Sequence, residues 1–135
     1  MKTIVEAKQL KKVYGGKGNV FTALQEIDLT VKQGEFVGIM GPSGSGKTTL
    51  LNLLATIDQP TSGEITVDGI SLVKMKEAEL AAFRRDKLGF IFQDYNLLDT
   101  LTVKENIILP LALARMNVAE LERRVAVISK KFGID

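Results

Sequence analysis

From Gly41 to Thr49 the chain reads Gly-Pro-Ser-Gly-Ser-Gly-Lys-Thr-Thr, a G-x-x-x-x-G-K-[ST] spacing that sets three glycines, one lysine and two threonine hydroxyls in fixed order. Each position has a mechanical reason. Glycines at 41, 44 and 46 allow positive φ and let the backbone approach an oxyanion with no Cβ in the way. The amides from Ser43 through Ser45 to Thr48 then converge as a concave nest, and a helix starting near Lys47 adds the partial positive charge of its N-terminus. In such a cradle Lys47 reaches the β- and γ-phosphates of a nucleotide, Thr48 offers its hydroxyl to Mg²⁺, and Thr49 is placed for the α-phosphate. The bland alternative is a glycine-rich turn between a buried strand and a helix.

What separates the two is the context, because a phosphate cradle needs a strand feeding it and a helix leaving it. The apolar run Phe36-Val37-Gly38-Ile39-Met40 is expected to be that strand, and residues 47–57, with Leu50-Leu51-Asn52-Leu53-Leu54-Ala55, that helix. The helix should end before Asp58-Gln59-Pro60-Thr61-Ser62-Gly63, a cluster of turn formers. Upstream, Ile27–Lys32 alternates apolar and polar as a strand with one buried face, and Thr3–Val13 reads as a weaker strand. Gly15–Asn19 is a loop by composition, and Tyr14 sits at its lip. That ring is either strand-end packing or a platform on which a nucleobase stacks.

Downstream, Glu64–Gly69 predicts a short strand and turn. Glu77–Arg85 predicts a helix with Leu80, Ala81 and Phe83 on or near one face. Leu88-Gly89-Phe90-Ile91-Phe92 suits a buried strand that delivers Gln93 into the polar break Asp94-Tyr95-Asn96. Thr102-Val103-Lys104-Glu105 opens a helix as a capping box, with Pro110 expected to kink it. In the last helix Asn117 caps, Glu120 follows three residues on, Val118, Leu121, Val125, Ile128 and Phe132 share helical spacing, and Gly133 stops it. Tyr95–Leu101, mixed apolar and polar, reads equally as a docking surface or as packing between helices.

With 45% hydrophobic and 25% charged residues the chain has enough apolar content to bury a core. The net charge of +2 is spread over interspersed acids and bases, which reads as solvated surface and not as a nucleic-acid footprint. There is no cysteine, which rules out disulfides, thiolate catalysis and sulfur-ligated metals within these residues. There is no histidine either, so no imidazole base acts from this segment. No window approaches the 18 or so uninterrupted apolar residues of a membrane span, so a membrane role would come through a partner.

Taken together, the cradle, Tyr14 and the Phe90-Ile91-Phe92-Gln93 strand end resemble the ATP-binding subunit of ABC transporters, and the similarity runs the length of the chain. Pro60-Thr61-Ser62-Gly63-Glu64-Ile65 and Leu101-Thr102-Val103-Lys104-Glu105-Asn106-Ile107 also look like that family. The wording of Asn96–Val103 resembles its branch of peptide-antibiotic resistance, macrolide-export and lipoprotein-release transporters, with the bacitracin-type group nearest. The resemblance implies an α/β fold: a P-loop NTPase (RecA-like) core portion over 36–93, an N-terminal antiparallel β portion over 1–35, and the start of a helical subdomain over 94–135. It also implies ATP and Mg²⁺ as ligands, Tyr14 stacked on adenine, and Gln93 reaching Mg²⁺ and the attacking water beside Lys47. The partners implied are a membrane-spanning permease and a second ATP-binding subunit, at the cytoplasmic face of the membrane.

This sequence also departs from the family. It holds no Leu-Ser-Gly-Gly-Gln signature, no apolar run followed by Asp-Glu, and no switch histidine. The expectation is therefore the front, incomplete part of a longer domain that binds nucleotide without hydrolysing it, with exposed sheet edges that favour self-association. Two other readings stand beside transport: a soluble P-loop ATP-binding protein of regulatory or nucleic-acid-linked role, and a P-loop kinase, for which no acceptor site or lid arginines are identifiable.

Overall fold

Alternation in the first 32 residues builds a long hairpin. β1 (Thr3–Gly16) and β2 (Asn19–Lys32) pair antiparallel from Thr3↔Lys32 to Gly16↔Asn19, in a computed structural model that describes residues 1–135. The loop expected over Gly15–Asn19 shrinks to the two residues Lys17-Gly18, and the ladder takes in the rest. Gly15 (φ 106°) and Gly18 (φ 91°) make so tight a return possible. β2 starts eight residues before Ile27, because Val20, Phe21 and Thr22 are β-formers that pair with Gly15, Tyr14 and Val13 although their faces stay exposed.

Residues 62–71 join the same sheet. β3 (Ser62–Val67) pairs with β1, and β4 (Ile70–Ser71) pairs with β3, giving the antiparallel order β2-β1-β3-β4. A bulge at Gln9 (φ 47°) shifts the register of β1 against both neighbours, and the Gln9 amide donates to Asp28 Oδ1 at 2.7 Å. Gly63 lies against this bulge. A Cβ there would come within 2.3 Å of the Gln9 carbonyl oxygen, so only glycine fits.

α1 (Lys47–Leu54) covers the sheet with Leu50 and Leu53, which are buried with Ala7, Leu10, Leu24 and Ile65. It ends three residues before the expected Ile57, since Thr56 takes φ 61° and the Ile57 amide turns back to the Asn52 carbonyl at 2.9 Å. α2 (Glu77–Lys87) buries Leu80 and Phe83, three apart on one stripe, while Ala81 lies outside that stripe and is exposed. Arg84 of α2 ties back to Thr56, donating to its carbonyl at 3.1 Å and its hydroxyl at 3.0 Å.

By their internal contacts the residues fall into two compact units, Met1–Arg84 and Arg85–Asp135. Two expected strands are absent as strands. Neither Phe36–Met40 in the first unit nor Leu88–Phe92 in the second has a ladder partner, and Phe36, Met40 and Ile91 are almost fully exposed. An apolar run supplies a demand for burial, but a strand exists only through hydrogen bonds to a neighbour, and these runs find none.

In the second unit α3 (Val103–Leu113) packs on α4 (Val118–Phe132). The capping box forms: the Glu105 amide donates to Thr102 Oγ1 at 3.1 Å, and the Thr102 amide donates to the Glu105 carboxylate at 2.9 Å. Asn106 fastens the preceding loop, accepting from the Leu98 amide at 2.8 Å and donating to the Leu98, Leu101 and Thr102 carbonyls. Pro110 is accommodated inside α3, which continues to Leu113.

At the start of α4, Asn117 accepts from the Ala119 amide at 2.8 Å, and at its end Gly133 (φ 69°) donates to the Lys130 carbonyl at 3.2 Å. The buried stripe is Leu121, Val125 and Ser129, whereas Val118, Ile128 and Phe132 of the expected face are exposed. α3 packs on α4, whose buried stripe runs through Leu121, Val125 and Ser129 and leaves the rest of the expected face uncovered.

Glu120 does not complete a capping box. It instead accepts from Arg123 at 2.6 Å and Arg124 at 2.9 Å, and these bonds pull its pKa from 4.5 down to about 2. A depressed folded-state pKa contributes stability that is present above the unfolded value near 4.5 and is lost as the pH falls toward about 2. The carboxylate is exposed, so the effect is small and salt-screened. A carboxyl-carbon NMR titration at low salt is expected to place the Glu120 midpoint near 2, and the double variant Arg123→Ala/Arg124→Ala to return it toward 4.5. A midpoint unmoved by the double variant would show that the pairs do not set it.

Candidate functional site

The Gly41–Thr49 loop leads directly into α1 and is seated on β2. Gly46 is the N-cap of α1 with φ 96°, and a Cβ on it would lie 2.7 Å from the Ala23 carbonyl oxygen and 2.9 Å from a Leu24 methyl. Here glycine serves both the left-handed backbone and the close approach of sheet to loop. Gly44 (φ 83°) has open space around it, so conformation alone calls for glycine there. Gly41 departs from the expectation of positive φ, and its missing Cβ instead makes room for Ser45 Oγ, which would be 2.7 Å away.

The loop's hydrogen bonding is what gives it chemistry. The Ser45 amide donates to the Pro42 carbonyl at 3.2 Å, while the amides of Ser43, Gly44, Gly46, Lys47, Thr48 and Thr49 have no acceptor in the chain. Three of these belong to the first turn of α1, where intrahelical acceptors are lacking for geometric reasons, and no acidic side chain lies in that turn. From Phe36 to Ile57 the only charged residue is Lys47. Its ammonium folds back on the loop, donating to the Gly41 carbonyl, the Pro42 carbonyl at 2.8 Å and Ser45 Oγ at 3.3 Å. All three acceptors are neutral, so the positive charge is not compensated by a carboxylate, and an anion meets a cation and a set of unpaired donors together.

Tyr14 is brought to the same helix. Its hydroxyl donates to Asp58 Oδ2 at 2.8 Å, and the Thr49 side chain bears on the same phenol oxygen. Lys12 Nζ stands 5.0 Å from the ring centroid. The bond to the Asp58 carboxylate raises the phenol's pKa, with partial burial adding to it, and the reciprocal bond lowers that of Asp58. Gln93 lies in the second unit, exposed and without a hydrogen bond, at the end of the unpaired 88–92 run.

Reading the sequence missed Lys12, Asp58 and Thr61. Lys12 donates to Asp58 Oδ1 at 3.1 Å and to the Gln59 carbonyl at 2.6 Å, and Thr61 Oγ1 accepts from the Val13 amide at 2.9 Å, so the loop after α1 is bolted to β1. Lys12 and Tyr14 share a strand face by period two, a signal that was legible. Nothing local points from Tyr14 to Asp58, 44 residues away.

No group of three or more acidic, cysteine or histidine side chains could hold a metal ion, and no helix is long and apolar enough to cross a membrane. A metal at this loop would therefore take hydroxyl and phosphate oxygens, and the exposed Thr48 beside the unpaired amides fits a hard, oxygen-seeking cation such as Mg²⁺.

Comparison with known proteins agrees with this geometry. The sequence profile of the ABC transporter family matches residues 24–135. An uncharacterized ABC transporter ATP-binding protein of Bacillus subtilis, YvcR, is 61% identical over 85% of this chain and 45% of its own length. The bacitracin export ATP-binding protein BceA of Halalkalibacterium halodurans is 50% identical over 97% of this chain and 52% of its own. Among solved structures, the dimeric post-hydrolysis state of the ATP-binding cassette MJ0796 bound to ADP and Pi superposes with a TM-score of 0.87 at 42% identity, over 94% of this chain and 56% of that one. The chain thus spans about half the length of the curated relatives it matches. Its P-loop, its antiparallel sheet and its helices are those of an ATP-binding cassette, and the chain belongs to the ABC transporter family.

Proposed function

We propose that Gly41–Thr49 binds the phosphates of ATP with Mg²⁺, and that in the whole protein this binding energises a membrane permease that exports antimicrobial peptides or related amphiphiles. The observation that carries the first part is the row of six acceptor-free amides around an uncompensated Lys47. Support for the second is the likeness to a bacitracin export ATP-binding protein. Lys47 would offset charge on the β- and γ-phosphates, the amides of Ser43, Gly44, Gly46, Lys47, Thr48 and Thr49 would hold phosphate oxygens, Thr48 would hold the metal, and Tyr14 would stack on the adenine. Mg²⁺, when bound, would supply positive charge against the transferring phosphoryl group. Phosphoryl transfer to water is mainly positioning and electrostatics, so Lys47 acts by stabilising charge. Two copies of the whole subunit close head to tail on the cytoplasmic side of the membrane, beneath the permease.

These 135 residues contain no glutamate in the setting of the family's general base, so binding and turnover separate. Titration calorimetry of the chain with ATP is expected to show binding that Mg²⁺ strengthens. Thr48→Val should remove most of that gain, about tenfold, the worth of one strong polar contact, and leave metal-free affinity unchanged. Turnover should be negligible in both. Equal Mg²⁺ enhancement in both forms would overturn the role given to Thr48, and ordinary ATPase rates from the pure chain would overturn the separation.

A further inference from the structure

Tyr14 is held on more sides than strand-end packing needs. Its hydroxyl is bonded to Asp58, Thr49 of α1 bears on the same oxygen, and Lys12 covers one ring face at 5.0 Å. Lys12 is itself fixed, its side chain only 13% exposed and its ammonium bonded to Asp58 Oδ1 and the Gln59 carbonyl. Asp58 therefore joins phenol and ammonium through its two carboxylate oxygens, and it also accepts from the Gln59 amide at 2.8 Å. Tyr14 as a whole remains 39% exposed, so the residue is not closed off from solvent. With one face taken by a cation, the opposite face is left for stacking, and an aromatic face stacks on any nucleobase.

From this geometry we infer that Asp58 and Lys12 are positioning residues for a one-faced base platform on Tyr14. They hold the ring so that a nucleobase is received only on the face turned away from Lys12. The inference rests on the nucleotide-binding reading above. Its energetic logic is preorganisation: a ring locked before binding forfeits less rotamer freedom when the base arrives.

Two titrations in a Tyr95→Phe background, which leaves Tyr14 as the chain's sole tyrosine, test this. Asp58→Ala is expected to weaken ATP binding about three- to tenfold, part of the roughly fivefold to hundredfold worth of a stacked base, and to leave affinity for tripolyphosphate within about twofold. Near-ultraviolet absorbance should show the phenol, having lost its carboxylate partner, ionising at lower pH than in the parent. Asp58→Asn, which keeps an acceptor for the phenol, should recover most of the ATP affinity. Equal loss for ATP and tripolyphosphate would show that Asp58 merely holds the loop, and would overturn the inference. So would unchanged ATP affinity in Asp58→Ala while Tyr14→Ala weakens it, a result that leaves the platform standing. If Tyr14→Ala also has no effect, the platform itself fails and the inference with it.

Discussion

Replacing Lys47 by alanine is expected to weaken ATP binding by about 10- to 150-fold, the worth of one or two charge-assisted hydrogen bonds at roughly 1.5–3 kcal/mol. Lys47 is the only charge between Phe36 and Ile57, so no neighbouring cation substitutes for it. Its present partners, the Gly41 and Pro42 carbonyls and Ser45 Oγ, are neutral and lie on an exposed loop, so water replaces the ammonium there at little cost. The change in folding stability should accordingly stay within about 0.5 kcal/mol, typical of an exposed substitution. Titration with a fluorescent ATP analogue reads the affinity, and thermal unfolding reads the stability. Equal affinities for the two forms would defeat the cradle assignment. A large drop in melting temperature would instead show that Lys47 acts by holding the loop together.

Gly46→Ala should be the most damaging small substitution in the loop. Its φ of 96° is unfavourable for an L-residue by about 1–2 kcal/mol. The new methyl would also stand 2.7 Å from the Ala23 carbonyl oxygen and 2.9 Å from a Leu24 methyl, and such overpacking adds about 1–3 kcal/mol. The carbonyl is backbone of β2, at the irregularity between the pairs Val13↔Thr22 and Lys12↔Leu24, so relieving the contact means moving main chain and not the end of a side chain. A total of about 2–5 kcal/mol is expected, to be measured by denaturant unfolding against Gly44→Ala. Gly44 has a similar φ of 83° and open space around it, so it pays the conformational cost alone. If the two variants unfold at the same denaturant concentration, the contact between β2 and the loop is not what makes Gly46 indispensable. A Gly46→Ala chain that folds but loses ATP affinity would place the strain in the loop itself, displaced from β2.

Features set by neighbours within one turn of chain were legible from the residues. The Thr102–Glu105 capping box, the Asn117 cap, the Gly133 stop and the entry of α1 at Lys47 all formed, because each depends on groups one to four residues apart. The hairpin and the short strand at Ser62–Val67 follow from period-two alternation, although β1 and β2 run further than their apolar pattern indicates. Two expectations drawn from apolar content failed. Phe36–Met40 and Leu88–Phe92 have strand composition, but a ladder belongs to two segments, and inspecting one of them does not supply the other. The buried stripe of α4 likewise depended on how much of the helix α3 covers, which spacing along α4 does not encode.

The Gly41–Thr49 motif illustrates the same division. The sequence by itself determined that a glycine-spaced loop enters a helix and that a lone lysine accompanies it, since both are local matters, although the Ser45 amide, expected in the nest, is taken by the Pro42 carbonyl. Only the tertiary structure decided that Gly46 lies against Ala23 of β2, and that Gly41 is needed for space and not for its φ. It also decided that Tyr14 is pinned between Lys12 and Asp58 beside Thr49. Those contacts join residues 23 and 44 positions apart, and they exist only once the hairpin has folded onto α1 and the loop that follows it. Local chemistry makes the loop's unpaired donors, and the packing of distant segments gives that loop a wall.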